Sequence, residues 1–188
     1  MESYALLVAA TLNAGTVLAI AALGLLINEK AGVVNLGAEG LMLCAAIAGF
    51  ATVVHTGSDV LGFLAGMGAG ALLAAIFGAL VIYLSTNQYA TGLALSLFGV
   101  GFSAFVGIGY VQEKLPQRPS FEIPFLADIP LLGSAFFKQH PLVYGVIALV
   151  FGMMWFFYKT RTGLVLRSVG ESPESAHALG YSVRRIRF

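Results

Sequence analysis

Residues 60–84 read VLGFLAGMGAGALLAAIFGALVIYL, an unbroken apolar run without one charged side chain. Coiled as an α-helix, a run of this length reaches about 37 Å, enough to cross a hydrocarbon core about 30 Å thick. Apolar and polar residues do not alternate in it, which argues against the two-residue period of a membrane β-barrel. Lipid offers no water to backbone N–H and C=O groups, so a helix, which pairs them internally, is the expected spanning form. Gly62, Gly66, Gly70, Ala74 and Gly78 recur every four residues, a ridge along which a neighbouring helix can approach backbone to backbone. Packing is the favoured reading of that ridge over a pore-lining one.

Outward from this run, four further stretches qualify or nearly qualify as spans: 4–27, 36–54, 90–111 and 142–158. Between Ala31 and Gln112 the only formally charged side chains are Glu39 and Asp59, with one imidazole at His55. The whole chain is 59% hydrophobic and 10% charged, against about a quarter charged in soluble domains. The expected fold class is therefore all-α, a polytopic membrane helical bundle forming a single domain over 1–188. Short connectors between the first four spans imply antiparallel neighbours.

Residues 112–141 turn polar and carry Pro116, Pro119, Pro124, Pro130 and Pro141. Proline fixes φ and removes a donor, so this is an inter-helix loop. Phe121, Phe125, Leu131 and Phe136 imply that it is ordered against the bundle.

Six of the ten Lys and Arg residues follow Tyr158, and cytoplasmic flanks of spans carry the basic excess, so segment 159–188 is expected inside. The Pro-rich loop is then outside, Lys30 inside and Met1 outside, with Trp155, Phe156, Phe157 and Tyr158 as an aromatic belt. A re-entrant 36–54 would flip the N-terminus. The start lacks a basic n-region and a cleavage site, so the first run reads as a retained span. A formal net charge of +1 gives no reason to expect nucleic acid as a partner, and the lone Cys44 allows neither an intrachain disulfide nor a thiolate metal cluster. No cofactor is expected.

Three segments could carry function. In the first, residues 28–43, Asn35 reads as an N-cap and Glu39 lies one turn on, near the positive end of the helix dipole. These residues fit either a capped helix start or a broken helix lining a polar cavity. In the second, residues 85–92, Asn87, Gln88 and Thr91 could cap helix ends or hydrogen-bond a polar solute. With Ser96 on the following span, Asn35, Glu39, Asn87, Gln88 and Thr91 are the candidate translocation-path residues.

In the third, residues 160–181, Ser172 as N-cap, Pro173 at the first helical position, Glu174 in the first turn and Gly180 past the end define a helix of about two turns. So short a helix is unstable alone and needs a partner surface. Flanked by Arg167, Arg184, Arg185 and Arg187, it reads as a docking element for a soluble protein; the plainer alternative is a basic stretch attracted to anionic lipid.

Together the stretches 28–43, 87–101 and 160–181 resemble the permeases of bacterial binding-protein-dependent importers for simple sugars, nucleosides and branched-chain amino acids, closest to the basic-lipoprotein-associated nucleoside permeases. Residues 128–133, DIPLLG, are similar to that branch as well. The resemblance implies a subunit of the bacterial cytoplasmic membrane that pairs with a second permease subunit, two ATPase domains or subunits and an extracytoplasmic substrate-binding lipoprotein. It further implies a coupling helix gripped by the ATPase, with Gly170, Glu171, Pro173, Glu174, Ser175, Ala176, His177, Leu179 and Gly180 as the coupling residues. Members of the family run on well past this length with further spans, so the chain is expected to be a truncated product or fragment.

The competing readings are an ion-coupled transporter or channel using Glu39, an intramembrane enzyme with Glu39 as acid or base, and a truncated subunit that only assembles. The sequence has no phosphate-cradling Gly-x4-Gly-Lys-Ser/Thr motif, so hydrolysis of ATP would be borrowed from a partner.

Overall fold

The computed structural model describes residues 2–115, 121–122, 138–139 and 141–188. The order is α1 (Glu2–Lys30), α2 (Ala38–Thr56), α3 (Asp59–Gly78), a π-helical turn (Ala79–Tyr83), α4 (Gln88–Gly107), a 3-10 turn (Ile108–Tyr110), β1 (Phe121–Glu122), β2 (Lys138–Gln139), α5 (Pro141–Lys159), α6 (Arg161–Glu171), α7 (Pro173–Ala178) and α8 (Val183–Arg187). Five of these are long and apolar enough to cross a membrane: Leu7–Lys30, Ala38–Thr56, Asp59–Tyr83, Gln88–Tyr110 and Pro141–Lys159. The chain divides into two compact units, Met1–Gly24 with Gln117–Leu164, and Leu25–Pro116 with Val165–Phe188.

In the first unit β1 and β2 pair antiparallel, Phe121 opposite Gln139 and Glu122 opposite Lys138. The Asn13 amide donates to Gln139 Oε1 at 2.7 Å, and Gln139 is buried. Thr160 joins α5 to α6: its hydroxyl donates to Phe156 O at 2.6 Å and accepts from Gly163 N–H at 3.0 Å, closing the first turn of α6. Gly163 rests on Phe156 O, where a β-carbon would collide.

The second unit is built around α2, which packs on α3 along one side and on α4 along another. The α3 ridge meets α2 through Gly62, whose missing β-carbon would lie 3.0 Å from Gly49 O, and Gly66, at the same distance from Ala45 O. On α4, Gly99 sits against the Gly40 backbone, and the Cys44 thiol lies 3.9 Å from Gly99 O. Helices without side chains at the contact come close enough for van der Waals packing to hold them where burial from lipid contributes little. The outer surfaces stay apolar: Leu97 is 75% and Phe105 77% exposed, as expected where lipid is the solvent.

Several expectations change. Asn35 is not the N-cap of α2: Gly37 holds that position, and Asn35 Oδ1 instead accepts Gly37 N–H at 2.8 Å, forming an Asx turn before the helix. The run at 60–84 ends its α-helix at Gly78 and passes into the π turn, where Leu84 N–H reaches back to Ala79 O at 3.2 Å. Pro141, read as loop, opens α5, where its missing donor costs nothing. Phe157 is buried rather than belt-forming, whereas Trp155 and Tyr158 are exposed. Segment 159–188 holds three short helices instead of one. The Pro-rich loop falls outside the described residues except for 112–115, 121–122, 138–139 and 141, as does the DIPLLG stretch.

Candidate functional site

The charged segment of the second unit folds back on the helix connectors. α6 brings Gly170 against the turn after α1: a β-carbon on Gly170 would collide with Lys30 O and lie 3.0 Å from Gly32 N. Gly32 has φ +78°, a left-handed conformation that glycine adopts without strain, and its own β-carbon would fall 3.1 Å from Gly170 Cα. Arg187 of α8 completes the junction by donating from Nη2 to Val169 O at 3.3 Å. A guanidinium beside the last carbonyls of α6 also suits the negative end of its dipole.

α7 is suspended between α6 and α8. Pro173 opens it, and Ser172 holds the N-cap position, but the Ser172 hydroxyl donates to Ser175 Oγ at 2.7 Å instead of accepting a backbone N–H. Gly180, φ +89°, ends the turn with its N–H on His177 O at 2.9 Å. Glu174, Ser175, His177 and Leu179 are exposed, Leu179 to 77%, while Ala176 is 2% exposed and packs inward. Gly170 and Glu171 belong to α6. Of the expected coupling residues, then, Ala176 and Gly170 pack into the chain's own fold.

The connector 84–88 is held by its own side chains. Asn87 Oδ1 accepts from Tyr89 N–H and Ala90 N–H at 3.0 and 3.1 Å, capping α4. The Thr91 hydroxyl donates to Asn87 O at 2.8 Å and pairs with Thr86 Oγ1 at 2.9 Å. Gln88 reaches further: its Oε1 accepts Val34 N–H at 2.9 Å, tying α4 to the α1–α2 connector. Gly92 supports that contact, with Leu36 N 2.8 Å from where its β-carbon would be.

Of the six expected path residues, only Asn87 and Gln88 line a cleft of the second unit. It measures about 1050 Å³, and its walls include Gly32 and Val33, the connector from Ser85 to Tyr89, and parts of α7 and α8. Pro173, Glu174, His177 and Gly180 of the expected coupling set share it, so the second and third sequence segments meet here. Asn35 is buried in its turn, Glu39 is exposed on the first turn of α2, and Ser96 lies at the α2–α4 crossing, its Cα 2.6 Å from the missing β-carbon of Gly40. Sequence reasoning included Gly32 and Ser85 in its first two segments without giving either a role of its own, and it missed the structural work of Arg187; the left-handed Gly32 and Ser85, φ +54°, carry little signal beyond their residue types.

Such a bundle, with five membrane-length helices and a charged helical segment folded against their connectors, defines a multi-pass helical membrane protein. The chain belongs to the family described as branched-chain amino acid transport system / permease component, which matches residues 7–188. It is 42% identical to a protein of Haloferax volcanii named as a candidate glucose ABC transporter permease, over 100% of this chain and 58% of that protein. It is 36% identical to the guanosine ABC transporter permease protein of Bacillus subtilis and 32% identical to a nucleoside ABC transporter permease protein of Lactococcus lactis, each match covering 100% of this chain and 63% of the relative. The chain thus spans 58% to 63% of the length of these relatives. No solved structure matches it.

Proposed function

We propose that this chain serves as the permease subunit, or the greater part of one, in an ATP-driven ABC importer of the cytoplasmic membrane, carrying nucleosides or related sugar-containing solutes. The observation that carries the reading is α7, a six-residue helix held at both ends by α6 and α8 with Glu174, Ser175, His177 and Leu179 turned outward. A helix this short gains little stability from its own hydrogen bonds, so an exposed one anchored by flanking helices suits a lever for a partner.

In this account the chain does no covalent chemistry. A separate ATPase grips α7 differently in its nucleotide-bound and nucleotide-free states, since only a differential contact can shift the equilibrium between inward-open and outward-open forms. The push passes through α6 to the Gly170–Gly32 junction, and through Gln88 into α4. A second permease subunit completes the pathway, and an extracytoplasmic binding lipoprotein supplies the solute and most of the selectivity.

A sugar is the second reading of the cargo, favoured by the 42% identity to the relative named for glucose. Uptake of labelled guanosine and of labelled glucose into membrane vesicles that hold the chain with its neighbouring ATPase and binding protein separates the two. ATP-dependent uptake of either solute supports the importer, whereas uptake that needs no ATP and collapses with a protonophore contradicts it.

A further inference from the structure

The amides at the mouth of α4 have their oxygens engaged and their nitrogens to spare. Asn87 Oδ1 is taken by two backbone N–H groups and Gln88 Oε1 by a third, which also fixes which end of each amide is which. Each side chain is left with an NH₂ group, and both line the cleft of about 1050 Å³. Arg184 and Arg187 line it as well, against the single carboxylate of Glu174, with His177 beside them. Arg187 Nε is buried and, among the described residues, has no hydrogen-bond acceptor. The wall is therefore rich in donors and positive charge, with its amide oxygens already engaged by the backbone, which favours an anion over a cation. Val81 and Ile82 add an apolar strip.

We propose that this cleft binds a phosphate-bearing anion. Tetrahedral oxyanions accept several hydrogen bonds at once, and charge-assisted bonds from guanidinium groups are the strong ones. The phosphate comes either from the headgroup of an anionic phospholipid, whose tails would follow the apolar strip, or from a soluble phosphoester.

The test uses the full chain in nanodiscs and a substitution that leaves the internal bonds intact. In Asn87→Asp/Gln88→Glu each retained oxygen still accepts its backbone N–H, while each NH₂ donor becomes a carboxylate oxygen facing the anion. Phosphatidylglycerol retention against phosphatidylcholine is read by native mass spectrometry, and inorganic phosphate binding by phosphorus-31 line broadening in phosphatidylcholine discs. The wild type is expected to hold one or both probes, and the double variant to bind the same probe about tenfold more weakly or worse, since two like charges now face the anion. Retention of phosphatidylglycerol alone assigns the headgroup, and binding of inorganic phosphate alone assigns the soluble phosphoester. Arg184→Gln, on an exposed side chain, is expected to weaken the same probe and serves if the double variant melts early. Failure of the wild type to hold either probe overturns the proposal, as does equal binding by wild type and the variants.

Discussion

Gly170 and Gly32 meet backbone to backbone: a β-carbon on the first would lie 3.0 Å from the amide nitrogen of the second. Two segments far apart in sequence, the end of α6 and the turn after α1, thereby become one mechanical piece. Substitution at Gly170 acts on the chain itself. Gly170→Ala is expected to destabilise by about 1–3 kcal/mol, because the added methyl group meets Lys30 O and the backbone of Gly32, which cannot move aside as a flexible side chain would. Thermal unfolding in detergent checks it, with Gly180→Asn as a control, since Gly180 has open space around it and asparagine tolerates its left-handed φ.

The bond from Val34 N–H to Gln88 Oε1 makes a sharper pair of variants. Gln88→Leu leaves that N–H without its partner and is expected to cost about 1–3 kcal/mol, whereas Gln88→Glu keeps the acceptor and should cost far less. Hydrogen exchange at Val34 reads the difference directly. Equal protection in both variants would mean that the bond does not hold the connector.

Asn87 holds the start of α4 through two backbone bonds. Asn87→Ala is expected to lower stability by about 1 kcal/mol, with Asn87→Asp near wild type in the absence of a bound anion. Circular dichroism melts of the three proteins are the measurement.

The two glycines Gly99 and Gly101 share a helix but not a surroundings. Gly99 lies against the Gly40 backbone, while Gly101 has nothing within 4 Å of its missing β-carbon. Gly101→Ala is expected to be neutral or stabilising by about 0.5–1 kcal/mol, the ordinary gain of alanine over glycine in a helix. Gly99→Ala should destabilise and separate α2 from α4, which a distance label on the two helices would register.

Much of this was legible beforehand, and the misses have physical causes. The apolar runs located all five membrane-length helices because hydropathy is a sum over many residues and tolerates local error. The Gly62 and Gly66 ridge was read correctly as packing, since four-residue spacing puts both on one helix face. Pro173 and Gly180 marked α7 through fixed φ and left-handed φ, local rules that need no tertiary knowledge. By contrast α6 escaped notice: residues 161–171 were read as the opening of the docking segment, with Arg167 as a basic flank, and their helicity depends on packing that only the folded chain supplies. Asn35 was assigned the cap it does not make because an Asx turn and an N-cap demand the same residue types. The meeting of Gln88 with Val34, or of Gly170 with Gly32, is a long-range contact with no periodic signature.

The account rests on α7 facing the cytosol, where an ATPase can hold it. With Cys44 replaced by alanine and Leu179 by cysteine, a membrane-impermeant maleimide should label inside-out vesicles and leave intact cells unlabelled, and co-expressed ATPase should protect the site. Labelling of Leu179→Cys from the outside of intact cells would contradict the account at its foundation.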